Sequence, residues 1–242
     1  MLDPGLGAAT EEIAGGVVAF TGVDSPITQA LGVGLNGPVT GAELDRLEDF
    51  FFSRGAAVAI ELCPFADRSL VELIAKRPYR LEEFSNVLVR ELREGEGFVG
   101  PVPGVTAREA EPDEAQMYAR LVAEGFDDTA RVTQALINVV EAFFRRGSGR
   151  CFLTFVDGQA AGGGSVAIND GIAELYGAST LIRFRGRGAQ TALLNARMTW
   201  AVKRGCAMAT TTTAPGTTSQ RNFERAGFRV VYSRTKMIRR PG

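Results

Sequence analysis

Residues 184–194 read F-R-G-R-G-A-Q-T-A-L-L and carry the residue types best suited to gripping an anion. Arginine presents a planar fork of donors that matches phosphate oxygens. The two glycines, Gly186 and Gly188, let the backbone approach a ligand closely. An apolar run, IAELYGASTLI (172–182), enters this loop, and a helical pattern leaves it at once. The loop therefore belongs at a strand-to-helix junction, where unpaired amides and the positive end of the helix dipole favour negative charge. The same glycines would also serve a plain tight turn. There is no histidine anywhere in the chain. That excludes a Ser–His–Asp or Cys–His site and a histidine-liganded metal, and it leaves acid–base work to Glu, Asp, Tyr, Cys or water.

The elements around the loop set its context. A length of 242 residues with 45% apolar residues suits one large or two modest domains, and the net charge of -1 argues against a nucleic-acid binder. No apolar run reaches the length of a membrane helix, and the N-terminus lacks a secretory pattern. Cys63, Cys151 and Cys206 are odd in number and far apart, which disfavours a disulfide framework or a metal site and fits a reducing cytoplasm.

Residues 1–12 read as a polar lead-in, and 15–23 and 27–35 as short strands. Thr40, with Glu43 three residues on, predicts a capped helix that Gly55 ends. A strand at 56–62, a helix at 67–76 and a long strand or hairpin at 80–92 follow. Residues 94–106, EGEGFVGPVPGVT, read as a linker. Beyond it come a strand (105–110), a helix closed by Gly125, a second helix (127–147) and a hairpin turning at Asp157-Gly158. The 172–182 strand, the loop and its helix come next. Strand 206–214, a helix closed by Gly227 and a last strand or hairpin (228–240) complete the chain. Glycines 162–164 read as a tight strand passage. Two stretches repeat: Arg54-Gly55 echoes Arg204-Gly205, and Tyr79-Arg80 echoes Phe228-Arg229. The near-constant offset predicts a duplication.

With the elements placed, Arg185–Gln190 resembles the R/Q-x-x-G-x-G/A signature of the GNAT acetyltransferase superfamily. Arg185 takes the first position, Gly188 the central glycine, and Gln190 stands where the family has Gly or Ala. A second register, from Arg183 through Gly186 to Gly188, meets the motif literally but shifts the helix start by two. RNFERAGFR (221–229) stands where the family has an L-Y-x-x-x-G-F-like ending. The resemblance covers about 105–240 as a whole domain and about 13–92 as a partial copy seeming to start at the third strand. It implies an α/β fold with a mixed sheet in two tandem GNAT-like domains: 1–100, degenerate and incomplete, and 101–242, complete.

The resemblance implies acetyl-CoA as co-substrate, no metal, and transfer of the acetyl group to a primary amine of a small molecule or protein. It implies neither nucleic acid nor membrane as partner, and it admits a homodimer. The amides and side chains of Arg185, Gly186, Arg187, Gly188, Ala189 and Gln190 would hold the pyrophosphate. The pantetheine arm would lie along Ala178, Ser179, Thr180 and Leu181, with an N–H near Leu181 on the thioester carbonyl. Ser219 and Asn222 would stand near the arm. Phe223 occupies the position of the family's proton-donating tyrosine, so Glu174, Tyr176 and Tyr232 become the substitutes for acid–base work. A non-catalytic acyl-CoA-binding module is the alternative. In the first half, N-G-P-V-T-G-A (36–42) replaces the signature, without an arginine and with Pro38 removing an amide.

Overall fold

The computed structural model describes residues 7–23, 25–93, 102–126, 132–145 and 149–241. The chain divides into two units, Met1–Val87 with Val231–Gly242, and Leu88–Val230. This division differs from a cut near residue 100. The tail of the last strand belongs with the first unit because Thr235–Arg239 pairs antiparallel with Val58–Leu62. Most of the expected linker, 94–101, and the expected helix start at 127–131 lie outside the described residues.

The first unit holds β1 (Ala9–Ile13), β2 (Gly16–Phe20), β3 (Gln29–Leu31), α1 (Gly41–Phe52), β4 (Val58–Leu62), α2 (Arg68–Ala75) and most of β5 (Arg80–Glu91). β1 corrects the reading of 1–12 as a lead-in. Ile13 is buried in the core of this unit, and β1 pairs with β2 across the Ala14-Gly15 turn.

The second unit holds β6 (Val105–Glu109), α3 (Ala115–Phe126), α4 (Gln134–Arg145), β7 (Gly149–Val156), β8 (Gln159–Asn169) and β9 (Ile172–Thr180). α5 (Ala189–Val202), β10 (Met208–Thr213) and α6 (Thr218–Arg225) follow, and β11 (Arg229–Arg239) closes the chain. Its strands run in the order β5-β10-β9-β8-β7-β6. β9 and β10 are parallel, whereas β6–β7, β7–β8 and β8–β9 are antiparallel, so the sheet is mixed. Strand alternation sends Phe152, Val166 and Leu175 into one apolar core with Leu193 and Met198 of α5. It sends Leu153, Val156 and Ala161 into a second core with Tyr118 and Val122 of α3. Sheet strands covered on both faces read as near-continuous apolar runs, as these do.

Local chemistry explains the turns. Asp157 and Gly158 both take positive φ, 49° and 77°, as a two-residue hairpin demands. Gly125 lies inside α3 and does not end it. A Cβ there would collide with the Ser179 side chain of β9, so glycine is kept for close packing. Glycines 162–164 are likewise a close strand passage, since a Cβ on Gly163 would come within 2.8 Å of the Phe152 carbonyl.

The repeat extends to whole elements. α1, β4, α2 and β5 recur as α5, β10, α6 and β11, displaced by about 150 residues. The helix ends recur too. Ala56 N–H donates to the Phe51 carbonyl and Cys206 N–H to the Ala201 carbonyl, beside Gly55 and Gly205 at φ 71° and 77°. The β1–β2 hairpin turns at Ala14-Gly15 with φ of 50° and 75°, as β7–β8 does at Asp157-Gly158. The β1–β2 hairpin thus corresponds to β7–β8, whereas the sequence had suggested a start at the third strand.

Candidate functional site

The site begins where two strands part. β9 pairs with β8 from Ile172 to Thr180 but with β10 only from Ile172 to Leu175. On the side away from β8, residues 177–180 therefore have no paired strand among the described residues. A β-bulge falls at the start of this edge: Tyr176 to Ser179 on β9 spans the stretch from Ser165 to Gly163 on β8, one residue more. Gly177 takes φ +60° inside the bulge, a conformation that suits glycine.

A cleft of about 800 Å³ follows this edge to the N-terminus of α5. That volume lies within the range of small-molecule and cofactor sites. Ala178, Ser179 and Thr180 form its β9 wall. Arg185, Gly186, Gly188, Ala189 and Gln190 form its end at the loop. Ser219, Asn222 and Phe223 of α6 face it from the other side. These eleven residues, far apart in the chain, line one cleft.

The two helix starts of the repeat differ in what they leave open. α5 starts at Gly188, at φ +86°, without a side-chain cap. The amides of its first turn have no intrahelical acceptor and face the cleft end. α1 has a full capping box. Glu43 N–H donates to Thr40 Oγ1, and the Glu43 carboxylate accepts from the Thr40 amide at 2.8 Å. The first copy's helix start is thus occupied by its own carboxylate, which would also repel a phosphate.

Several side chains act differently from their expected roles. Arg185 lines the cleft and works as a clamp: Nε donates to the Thr180 carbonyl (3.1 Å) and Nη2 to the Gly125 carbonyl (2.9 Å). Gln190 donates through Nε2 to Thr180 Oγ1 at 2.7 Å, which gives a reason for its departure from Gly or Ala. Arg187 turns away to pair with Asp157 in the hairpin turn, and its side chain is not part of the cleft wall. The Leu181 N–H donates to the Ala161 carbonyl at 2.9 Å, so it faces β8 and not the cleft. In a trans peptide the carbonyl points opposite to the N–H, which is why the Thr180 carbonyl faces Arg185.

Glu174 and Tyr176 share a face of β9, Glu174 exposed and Tyr176 half-buried with its ring 6.2 Å from that of Phe143. Neither lines the cleft. Tyr232 belongs to the first unit, where its ring packs edge-on against Phe65 and burial raises its phenol pKa. Ser219 is not the α6 cap, which is Thr217. Phe223 is buried edge-on against Phe228, with centroids 5.1 Å apart.

The sequence reading missed Arg197 and Arg225, which also line the cleft. The signal for Arg197 was present. It lies four residues from Leu193 and Ala201, within the apolar stripe of α5, where an arginine is out of place. Arg197 is 1% exposed, and burial lowers its pKa to about 10. Among the described residues three arginines and no Asp or Glu line the cleft. Among the described residues no cluster suits a metal ion, and no helix is long and apolar enough to cross a membrane.

Residues 115–228 match the family model for the acetyltransferase (GNAT) family. That stretch is the one that builds the cleft. A GCN5-related N-acetyltransferase from Kribbella flavida superposes with a TM-score of 0.68 at 20% identity, over 97% of this chain and 90% of that one. A GCN5-related N-acetyltransferase from Sphaerobacter thermophilus gives 0.65 at 18% identity, over 93% and 80%. A tandem GNAT protein from the clavulanic acid biosynthesis pathway gives 0.66 at 16% identity, over 94% and 78%. At such identities the likeness is one of fold. No curated protein matches the chain in sequence.

Proposed function

We propose that the protein is an acetyl-CoA-dependent N-acetyltransferase acting on a primary amine of a small molecule or protein. The observation that carries this reading is the β9 edge leading to the uncapped start of α5, in a cleft that three arginines and no carboxylate line among the described residues. The α5 amides would hold the pyrophosphate, with Arg225 adding charge. The pantetheine arm would lie along Ala178–Thr180 as an added strand, its thioester carbonyl taking an N–H of that edge in place of Leu181. Glu174 and Tyr176 are the groups on β9 for taking the amine proton.

The same reading treats residues 1–100 and 101–242 as copies of one unit, of which the first has given its helix start to Glu43. Three unpaired thiols suit a reducing cytoplasm. Phe223, which has no proton to give, favours a second reading, a non-catalytic acyl-CoA-binding module. Calorimetric titration with acetyl-CoA, followed by thiol release over a broad amine panel, separates the two. No binding at millimolar ligand would overturn both. Binding without thiol release from any amine would favour the module.

A further inference from the structure

Arg197 is a buried cation. Its Nη1 donates to the Ser165 carbonyl (3.1 Å) and its Nε makes a long contact with the Leu193 carbonyl (3.4 Å). No carboxylate pairs with it among the described residues. Tyr118 of α3 is the titratable group that interacts with it, and Tyr118 and Cys151 of β7 meet at the Ser165 hydroxyl at 2.7 and 3.4 Å. Burial raises the pKa of both, so both are neutral near pH 7. Among the described residues the other charged groups on the cleft wall are Arg185 and Arg225, both cations. A desolvated charge left in this state is costly, and an anion in the cleft would offset it.

Its position selects which anion. Arg197 lies nine residues along α5 from Gly188, roughly 13 Å at 1.5 Å per residue. It anchors on Ser165, which pairs with Tyr176, just before the 177–180 edge of β9 begins. The α5 amides lie at the other end, beside Thr180. A ligand held at Gly188 by its phosphates and laid along this edge brings its far end toward Arg197.

We infer that Arg197 is the electrostatic partner of the thiolate released in acetyl transfer. This rests on the acetyl-CoA reading above. In the step, the amine nitrogen bonds to the thioester carbonyl carbon, the C–S bond breaks, and its electron pair stays on sulfur. The proton leaving nitrogen passes to solvent or base. The sulfur then departs as an anion beside a cation and does not require a proton from position 223.

The test is the ionisation of CoA itself, followed by thiolate ultraviolet absorbance in the protein–CoA complex. In the wild type the bound thiol should titrate about one pH unit or more below free CoA, a tenfold gain in ionisation. Arg197→Lys should keep most of the shift. Arg197→Met should return the bound thiol to its free value. An unshifted or raised thiol pKa in the wild-type complex would overturn the inference alone, whether or not the variants fold. Absence of any CoA or acetyl-CoA binding would overturn it together with the reading beneath it.

Discussion

The Gln190 side-chain amide donates to the Thr180 hydroxyl at 2.7 Å, tying the first turn of α5 to the last residue of β9. With the Arg185 bond to the Thr180 carbonyl, it fixes the corner at which the cleft meets the helix start. Gln190→Ala removes this half-buried bond, worth about 1 kcal/mol net. The expected result is a fall in melting temperature of about 2–4 °C for a chain of this size, read by differential scanning calorimetry. An unchanged melting temperature would show that the corner is held without it.

Gly188 has two reasons to be glycine. Its φ is +86°, and an added Cβ would stand 2.6 Å from Cγ1 of Val102. Gly188→Val should therefore reshape the start of α5 and abolish acetyl-CoA binding in calorimetry. Gly186→Ala meets no neighbour and keeps only the left-handed penalty, about 1–2 kcal/mol. It should bind more weakly but measurably. Wild-type affinity in Gly188→Val would remove the loop from the binding site.

Phe223→Tyr places a phenol in the cleft wall while keeping the ring against Phe228. A well-placed general acid contributes about 10²–10⁴-fold where proton transfer is limiting. If Arg197 already accommodates the thiolate, thiol release should rise by less than about tenfold. A steady-state thiol assay decides this, and a gain of a hundredfold or more would mean that the wild type lacks a needed acid.

Glu114 accepts two bonds from Arg108 and one from the Glu111 amide, and the Arg108 bond is the main cause of its lowered pKa. A carboxylate whose folded pKa lies below its unfolded value contributes stability above the unfolded value and loses it as pH falls through the folded one. Arg108 is nearly half exposed, which keeps the pair under about 1 kcal/mol. Glu114→Gln should therefore be less stable than wild type at about pH 7 and nearly equal to it at about pH 3, by urea unfolding. An equal deficit at both pH values would assign the effect to packing.

What the chain's residues determined alone is local. Thr40 with Glu43 makes a capping box, Asp157-Gly158 makes the hairpin turn, and Gly188 opens a helix. Each depends on atoms a few positions apart, so residue type and spacing suffice. The repeat was legible for the same reason, because helix ends such as Arg54-Gly55 and Arg204-Gly205 carry their own chemistry. What only the tertiary structure decided is which groups remain available to a ligand. Leu181 N–H is spent on Ala161, Arg187 on Asp157, and the helix start of α1 on Glu43, whereas β10 pairs with β9 no further than Leu175 and the start of α5 has no side-chain cap. Arg197 stands within the apolar stripe of α5, and its burial with no carboxylate partner among the described residues follows from elements distant in the chain. Hydrogen-bond satisfaction and desolvation depend on everything packed around a group, and spacing along the chain does not encode them.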